Sequence, residues 1–577
     1  MNYKQSLSEL LAKCTSLPQE ELLTAIETPA DAKLGHMAFP CFRLSKELKK
    51  APPVIAAELA AQISESRPPW LGEVKATGPY VNFFFDRAIF AGNVLGEILT
   101  KGQNYGASGI GAGKNVVMDY SSPNIAKPMH VGHLGSTIIG ASLDRIYRFL
   151  GYNVTAINHL GDWGTQFGKM IVAYLKWGNK EEIEKTGIDG LVALYVRFHE
   201  EADTDPSLND EARAWVVKLQ NGDKEGMALW QWFIDISLIE YERQYKRMGV
   251  RFNLYRGESY YNDKMDVAVE LLRKKGLLKE SDGAQIVDLE EYNMPPCLIL
   301  RSDGGTLYAT RDISTAMDRQ ENFKFDKCLY VTGQEQILHF AQFFKVLELM
   351  GYPWAKGLVH IPYGMFRFEH GKLSTRRGDV IKMDDLMDEA IAKTKAIIEE
   401  KNPDLPNKDT IAEQVGIGAM IFNKLYTNRI KDTVFSWDLM LNFDGETGPY
   451  VQYAHARACS VLEKAGYAQK AETGFARCSS GVWGNVPLLI EDEAFEVLRI
   501  IYDFPAKIEE AAEKYEPFMI ARQLVALAQA FNSFYHHHVV LVDDQDLRQA
   551  RLALVAAVQT QLEIGLKLLG MSAPRAM

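Results

Sequence analysis

The chain has 577 residues, 47% hydrophobic and 24% charged, with a formal net charge of -11. This is ordinary globular composition with apolar side chain enough for several cores, and the length leads one to expect three or four domains. No run of 18 or more apolar residues calls for a membrane span, and the polar start MNYKQSLSELLAKCTSLPQEE lacks a signal-peptide core; the acidic balance argues mildly against a nucleic-acid partner while leaving room for a basic patch.

Residues 1–108 read as an α+β module. A helical opening leads through TPADAKLGHMAFPCFRLSKELKK to a helix near Pro53–Ile63, then to KATGPYVNFFFD, a Gly78-Pro79 turn followed by aromatic strand material. Phe83 to Phe85 either stack on a base or fill this module's core; strand alternation sends at least one inward. The Gly-rich GASGIGAGK (Gly106 to Lys114) lacks phosphate-loop spacing and reads as a linker. NVVMDYSSP is a short apolar strand, and PNIAKPMHVGHLGSTIIG (Pro123 to Gly140) follows it. Ile139, Leu143, Ile146 and Leu150 then step along one helix face, and Gly151 closes it before NVTAINHLGDWG opens a second strand and loop. Strand, turn, helix, strand is the βαβ unit of a parallel sheet. Further strands are expected in KCLYVTG (327–333) and GLVHIPYGMF (357–366), with a charged helical insertion over 178–250. From about 385 the pattern is almost wholly helical. Ile520, Leu524, Leu527 and Phe531 make one bundle stripe, and Val555, Val558, Leu562, Leu566 and Leu569, closed by Gly570, make another.

His130 and His133 in MHVGH leave three readings open. An H-x-x-H pair can ligate zinc, but further ligands and helix spacing are missing. The six scattered cysteines form no CxxC pair and read as reduced thiols of a cytoplasmic protein. The histidines could be incidental surface residues. They could also grip phosphate: the turn ends a parallel strand, where open α/β sheets bind ligands, and a helix N-terminus there offers N–H groups and partial positive charge. Gly132 clears space for a nucleotide, and two imidazoles can donate to phosphate oxygens.

The segment resembles the HIGH signature of class I aminoacyl-tRNA synthetases, and SPNIAKPMHVGHLGSTIIG resembles the arginyl-tRNA synthetase version. AINHLGDWGTQFGK, GESYY, GTLYATRDISTAMDR, YVTGQEQILHF, LSTRRGDVI, GPYVQYAHAR and GLKLLGMSAPRAM match that family's pattern in the same order, along nearly the whole chain. The resemblance implies a Rossmann-type parallel-sheet catalytic domain (109–384) with the helical insertion, the α+β N-terminal tRNA-contacting module, a helical connector (385–450) and an all-α anticodon-binding bundle (451–577). It implies arginine activation with ATP, magnesium accompanying the nucleotide, transfer to tRNA(Arg), no structural metal, no membrane and a monomeric cytoplasmic enzyme. Two rivals stand beside it: an adenylyltransferase acting without RNA, and a non-catalytic tRNA-binding relative.

By resemblance, Pro123, His130, Gly132, His133 and Ser374 bind ATP. The KMSKS signature is represented by Lys372-Leu373-Ser374-Thr375-Arg376, where Thr375 replaces the second lysine; Lys127 is the cation that would stand in, and Lys372 and Arg376 flank the gap. Gly135 replaces an arginine common in the family, and one turn into a helix it costs about 1 kcal/mol relative to alanine. A guanidinium fork calls for carboxylates and other acceptors, and the resemblance assigns Asn124, Asn158, Glu258, Tyr308, Asp312 and Gln336 to arginine. Tyr308 and Asp312, four apart, would share a helix face. Glu258 could equally be a solvated loop acid, and Asp312 an acidic first-turn residue. Tyr450, Tyr453 and Arg457, with Tyr535 and Met577, match positions that approach tRNA; aromatic faces suit unstacked bases, although helical spacing also suits packing. His536 to His538 point in different directions on a helix and are not expected to chelate one ion.

Overall fold

The computed structural model describes residues 2–29, 31–368, 381–467 and 486–577. Two compact units emerge. One comprises residues 1–105, 457–504 and 526–562, the other residues 106–456, 505–525 and 563–577. The C-terminal helices Gly448–Lys464, Asp492–Lys514, Phe518–His537 and Gln545–Leu569 each run across this division.

In the first unit, strands β1 (Met37–Pro40), β2 (Leu71–Thr77) and β3 (Tyr80–Phe85) form an antiparallel sheet in the order β1-β3-β2. The β2–β3 turn is tight because Gly78 takes a φ of 56°. Phe83 and Phe85 are buried, whereas Phe84 faces the other way beneath the Lys75 ammonium, 5.4 Å from its ring. Two of the three phenylalanines therefore serve the core, as the period of two requires. In the bundle segments, the 520–531 stripe is fully buried, and so are Val555, Val558 and Leu562.

The second unit is built on a parallel sheet of β4 (Asn115–Asp119), β5 (Asn153–Asn158), β6 (Leu254–Tyr255), β7 (Lys327–Gly333) and β8 (Leu358–Tyr363), in the order β8-β7-β4-β5-β6. Val116, Val117 and Met118 are all fully buried; a strand covered on both faces needs an unbroken apolar run. β4 is the switch strand. The chain leaves it for β5 on one side and returns to β7 on the other, so a crevice opens at its carboxyl end.

Helix α1 (Val131–Phe149) follows β4 and buries Ile139, Leu143 and Ile146 as the spacing requires. Its last turn gives way to Gly151, whose φ is 84°. The insertion consists of helices ending in α2 (Lys224–Arg247). Farther on come α3 (Tyr308–Phe323) and α4 (Ile337–Leu349). Two small features were not anticipated. Residues 278–300 form a three-stranded antiparallel sheet, and Thr433–Phe435 pairs in parallel with Phe366–Phe368 inside the otherwise helical region. Strands this short carry too little alternation to register in sequence.

Candidate active site

The segment Tyr120–Pro128 after β4 is under backbone strain. Ser121, Ser122 and Ala126 have φ of 73°, 51° and 59°, a region that costs roughly 1–2 kcal/mol for each side-chain-bearing residue. Hydrogen bonds from elsewhere hold it. Ser121 N–H donates to Ser136 Oγ at 2.8 Å, and that hydroxyl donates on to the Val331 carbonyl of β7 at 2.6 Å. Ala126 N–H donates to Ser237 Oγ at 3.0 Å, and the Tyr241 hydroxyl lies 2.7 Å and 2.6 Å from the carbonyls of Asn124 and Lys127. The Tyr245 hydroxyl meets Ser121 Oγ at 2.7 Å and receives Asn158 Nδ2 at 3.0 Å. Ser237, Tyr241 and Tyr245 are successive steps of four on α2, so one face of the insertion moulds the turn. Sequence reading passed over them; the S-x-x-x-Y-x-x-x-Y spacing was the available signal.

At the start of α1 the two histidines cap the helix reciprocally. His130 Nδ1 accepts the Gly132 N–H at 3.1 Å, and His133 Nδ1 accepts the His130 N–H at 3.1 Å. An Nδ1 that accepts must be bare, so each neutral ring carries its proton on Nε2. Burial lowers both pKa values, with Lys127 adding to the effect on His130; His133 falls to about 4. Two neutral N–H donors, on rings 4.0 Å apart, result. This changes the expected picture of an open helix terminus. The Val131 N–H donates to Ile381 O, Gly132 to the His130 ring and His133 to the His130 carbonyl, so the first backbone donors are already used. The role of Gly132 changes as well: a Cβ there would lie 2.8 Å from His130 Cε1, and glycine makes room for the folded-back imidazole.

Gly135 also has an explanation. A Cβ would lie 2.8 Å from Cε2 of Tyr363, whose ring from β8 packs over the helix at this position. Lys127 is exposed and forms no ion pair among the described residues. Pro123 is buried and its carbonyl accepts the Gly161 N–H. Lys372, Ser374, Thr375 and Arg376 lie outside the described residues; the chain is described again from Ile381, with Lys382 bridging to His130 and Met383 N–H bonded to the Met129 carbonyl.

Beside the turn lies a cavity of about 420 Å³. Asn124, Glu258, Tyr308, Asp312 and Gln336 line it together. α3 presents Tyr308 and Asp312 from its first two turns, as their spacing requires. Asn158 is not in the wall. It is fully buried, its amide held between the Tyr245 hydroxyl and the Ser122 N–H, because the left-handed turn needs that acceptor. The cavity also shows Asp119, His159, Arg311 and His339. Asp119 is neutralised by Arg319 at 2.7 Å in a buried pair. Glu258 pairs with Arg311 at 2.9 Å, and Asp312 with His339 at 2.5 Å. Burial pushes Glu258 up to about 7 against the pull of Arg311. His159 Nδ1 donates to the Arg256 carbonyl at 3.1 Å, and burial keeps the ring neutral, so its Nε2 remains an acceptor.

Tyr450, Tyr453 and Arg457 all fall on the helix Gly448–Lys464. Tyr453 and Tyr535 are exposed, and the Arg457 guanidinium lies 5.5 Å from the Tyr535 ring while bonding Asn532 Oδ1 at 2.5 Å. The Met577 carbonyl accepts from Asn402 Nδ2 at 3.3 Å. In the His536–His538 run, His537 Nδ1 bonds Ser533 O and His538 Nε2 bonds Glu493. Among the described residues no group of three metal-binding side chains occurs.

A parallel sheet with an imidazole-paired turn at its switch strand is the setting of the site, and residues 94–437 place it in the class by matching the family described as tRNA synthetases class I (R), catalytic domain. Residues 451–577 match the DALR anticodon binding domain, and residues 1–85 the arginyl tRNA synthetase N terminal domain. The chain is 52% identical over 577 residues to an arginine–tRNA ligase of Alkaliphilus metalliredigens and 50% identical over 578 residues to one of Halothermothrix orenii, covering 100% of each chain. It superposes on the Thermus thermophilus arginyl-tRNA synthetase with a TM-score of 0.82 at 25% identity, covering 100% of both chains. The chain belongs to the arginine–tRNA ligase family.

Proposed function

We propose that the chain activates L-arginine with ATP and transfers it to the 3′ end of tRNA(Arg). The arginine carboxylate attacks the α-phosphorus of ATP, the bond to pyrophosphate breaks, and arginyl-adenylate forms. A terminal ribose hydroxyl then attacks the adenylate carbonyl and AMP leaves. Displacement at phosphorus asks the protein mainly for positioning and charge stabilisation. His130 and His133 supply Nε2–H donors to the phosphates. Lys127, with Lys372 and Arg376 of the substituted signature, supplies the positive charge, and Ser374 contributes a hydroxyl. Magnesium enters with ATP as its counter-ion.

The observation that carries the reading is the meeting of two carboxylates, Glu258 and Asp312, in a cavity that Ser122 and Asn124 of the turn also line. The guanidinium fits these acids, with Asn124, Gln336 and the His159 Nε2 as further acceptors and Tyr308 at the wall. Tyr450, Tyr453, Arg457, Tyr535 and Met577 contact tRNA, with residues 1–108 and 451–577 as its binding modules flanking the catalytic domain (109–384) and connector (385–450). The enzyme works as a cytoplasmic monomer.

Glu258→Gln tests the site. Losing a charged hydrogen bond, about 1.5–3 kcal/mol, should raise the arginine KM roughly tenfold to a hundredfold and leave the ATP KM within about twofold. Equal loss toward both substrates would refute the assignment.

A further inference from the structure

We propose that Arg311 is a positioning residue of the arginine pocket: it holds the Glu258 carboxylate in its ionised form for the incoming guanidinium. The inference rests on the reading that Glu258 receives the substrate side chain.

Its basis is geometric. Arg311 Nη1 lies 2.9 Å from Glu258 Oε2, with side-chain exposures of 16% and 21%. Arg311 is rooted on α3 between two other pocket residues, Tyr308 and Asp312, and its guanidinium stands 6.0 Å from the Tyr308 ring. Its Nε is buried without a hydrogen-bond partner. An internal arginine thus stands beside the seat of a substrate arginine and shares a carboxylate with it.

The charges around Glu258 show why the pocket needs this cation. Asp312 approaches from α3 and Asp162 from the loop after β5, and both oppose ionisation of Glu258, as does burial. Asp162 is fixed by the Ser259 N–H and hydroxyl at 2.8 Å and 2.7 Å. His339 from α4 is spent on Asp312, Arg319 on Asp119, and Arg256 lies 3.6 Å from Asp318. His159, at the end of β5, is kept neutral by burial. Among the described residues, Arg311 is therefore the cation that opposes protonation of Glu258 in the empty pocket. A protonated acid offers no charge to a guanidinium, so without Arg311 the substrate must bind against the proton.

The test is the pH profile of the apparent arginine KM in aminoacylation of tRNA(Arg), from pH 6 to 9.5, for the wild type, Arg311→Gln, Arg311→Lys and Glu258→Gln. In the wild type the KM should rise as pH falls through about 7, where Glu258 titrates. In Arg311→Gln this inflection should move up by a pH unit or more, raising the KM about tenfold at pH 7 and returning it toward the wild-type value by pH 9.5, with the ATP KM unchanged. Arg311→Lys, which keeps the charge, should hold the inflection near the wild-type position. A purely structural role would lower kcat or stability without moving the inflection, and an unmoved inflection in Arg311→Gln overturns the proposal. So does a lower arginine KM, which would make Arg311 a competitor for Glu258. If Arg311→Gln does not fold, an inflection in Arg311→Lys shifted as far as one unit is equally adverse. If Glu258→Gln leaves the arginine KM and its profile untouched, the underlying site assignment fails instead.

Discussion

Tyr241→Phe removes one oxygen from the far side of the active-site turn, and its consequence can be worked out from the bonds that oxygen makes. Tyr241 is fully buried on α2, and burial raises its pKa, so the phenol stays a donor. Its hydroxyl lies 2.7 Å from the Asn124 carbonyl and 2.6 Å from that of Lys127. Between them Ala126 sits in the left-handed region, at a cost of about 1–2 kcal/mol. A net hydrogen bond contributes about 1 kcal/mol, and leaving partly buried carbonyls unpaired adds about 1–3 kcal/mol. The sum, roughly 2–4 kcal/mol, exceeds the strain it opposes, so without the hydroxyl the segment relaxes and Lys127 loses its fixed origin. Were about 2 kcal/mol of this felt in the transition state, kcat for arginine- and tRNA-dependent pyrophosphate exchange would fall about thirtyfold. Stopped-time exchange assays at saturating substrates, paired with thermal unfolding, measure both terms. A loss of stability with unchanged kcat would refute the claim that the bond positions the turn for chemistry.

The imidazole pair predicts a flat profile near neutrality. With His133 at about 4 and His130 also lowered, kcat at saturating arginine should show no histidine inflection between pH 6 and 8; an inflection near 6.5 that disappears in His133→Asn would count against neutral donors. The same shift affects folding. The unfolded chain takes up protons near 6.5 while the native rings resist them, so these groups subtract stability as pH falls from about 6.5 toward 4, measurable in denaturant midpoints across that window. Gly135→Ala should destabilise by up to about 2 kcal/mol, because overpacking against Tyr363 (about 1–3 kcal/mol) outweighs the helix-propensity gain of about 1 kcal/mol. In a Tyr363→Ala background the same substitution should stabilise, and additive effects in this thermal-unfolding cycle would discount the contact.

The catalytic turn was legible because its chemistry is contiguous: strand, PNIAKPMHVGH and helix occur in one run, and helix α1 buries the face its spacing marks. Glu258 and Asp312 were located through resemblance, and the structure brings them to one wall although 54 positions separate their places in the chain. Arg311 stood between two assigned residues and was passed over, because sequence gives no view of which carboxylate a cation faces. Asn158 was placed in the pocket on its match, yet its amide is consumed by a backbone conformation no sequence pattern announces. Tyr363, which fills the space over Gly135, likewise arrives from a strand far along the chain. The C-terminal helices read as one bundle by their stripes, but periodicity records which face is buried, not what buries it.

The moulding of the turn by α2 has a consequence in time. Lys127 and Tyr241 are 114 positions apart. A ribosome adding about 5–20 residues per second takes roughly 6–23 seconds to cover that interval. Throughout it, the nascent turn already holds both histidines and its strained residues but lacks the α2 hydroxyls of Ser237, Tyr241 and Tyr245. The insertion is thus a latch delivered late: the phosphate-gripping turn is encoded early in the message, and the hydroxyls of α2 reach it only after the insertion's last helix has left the exit tunnel.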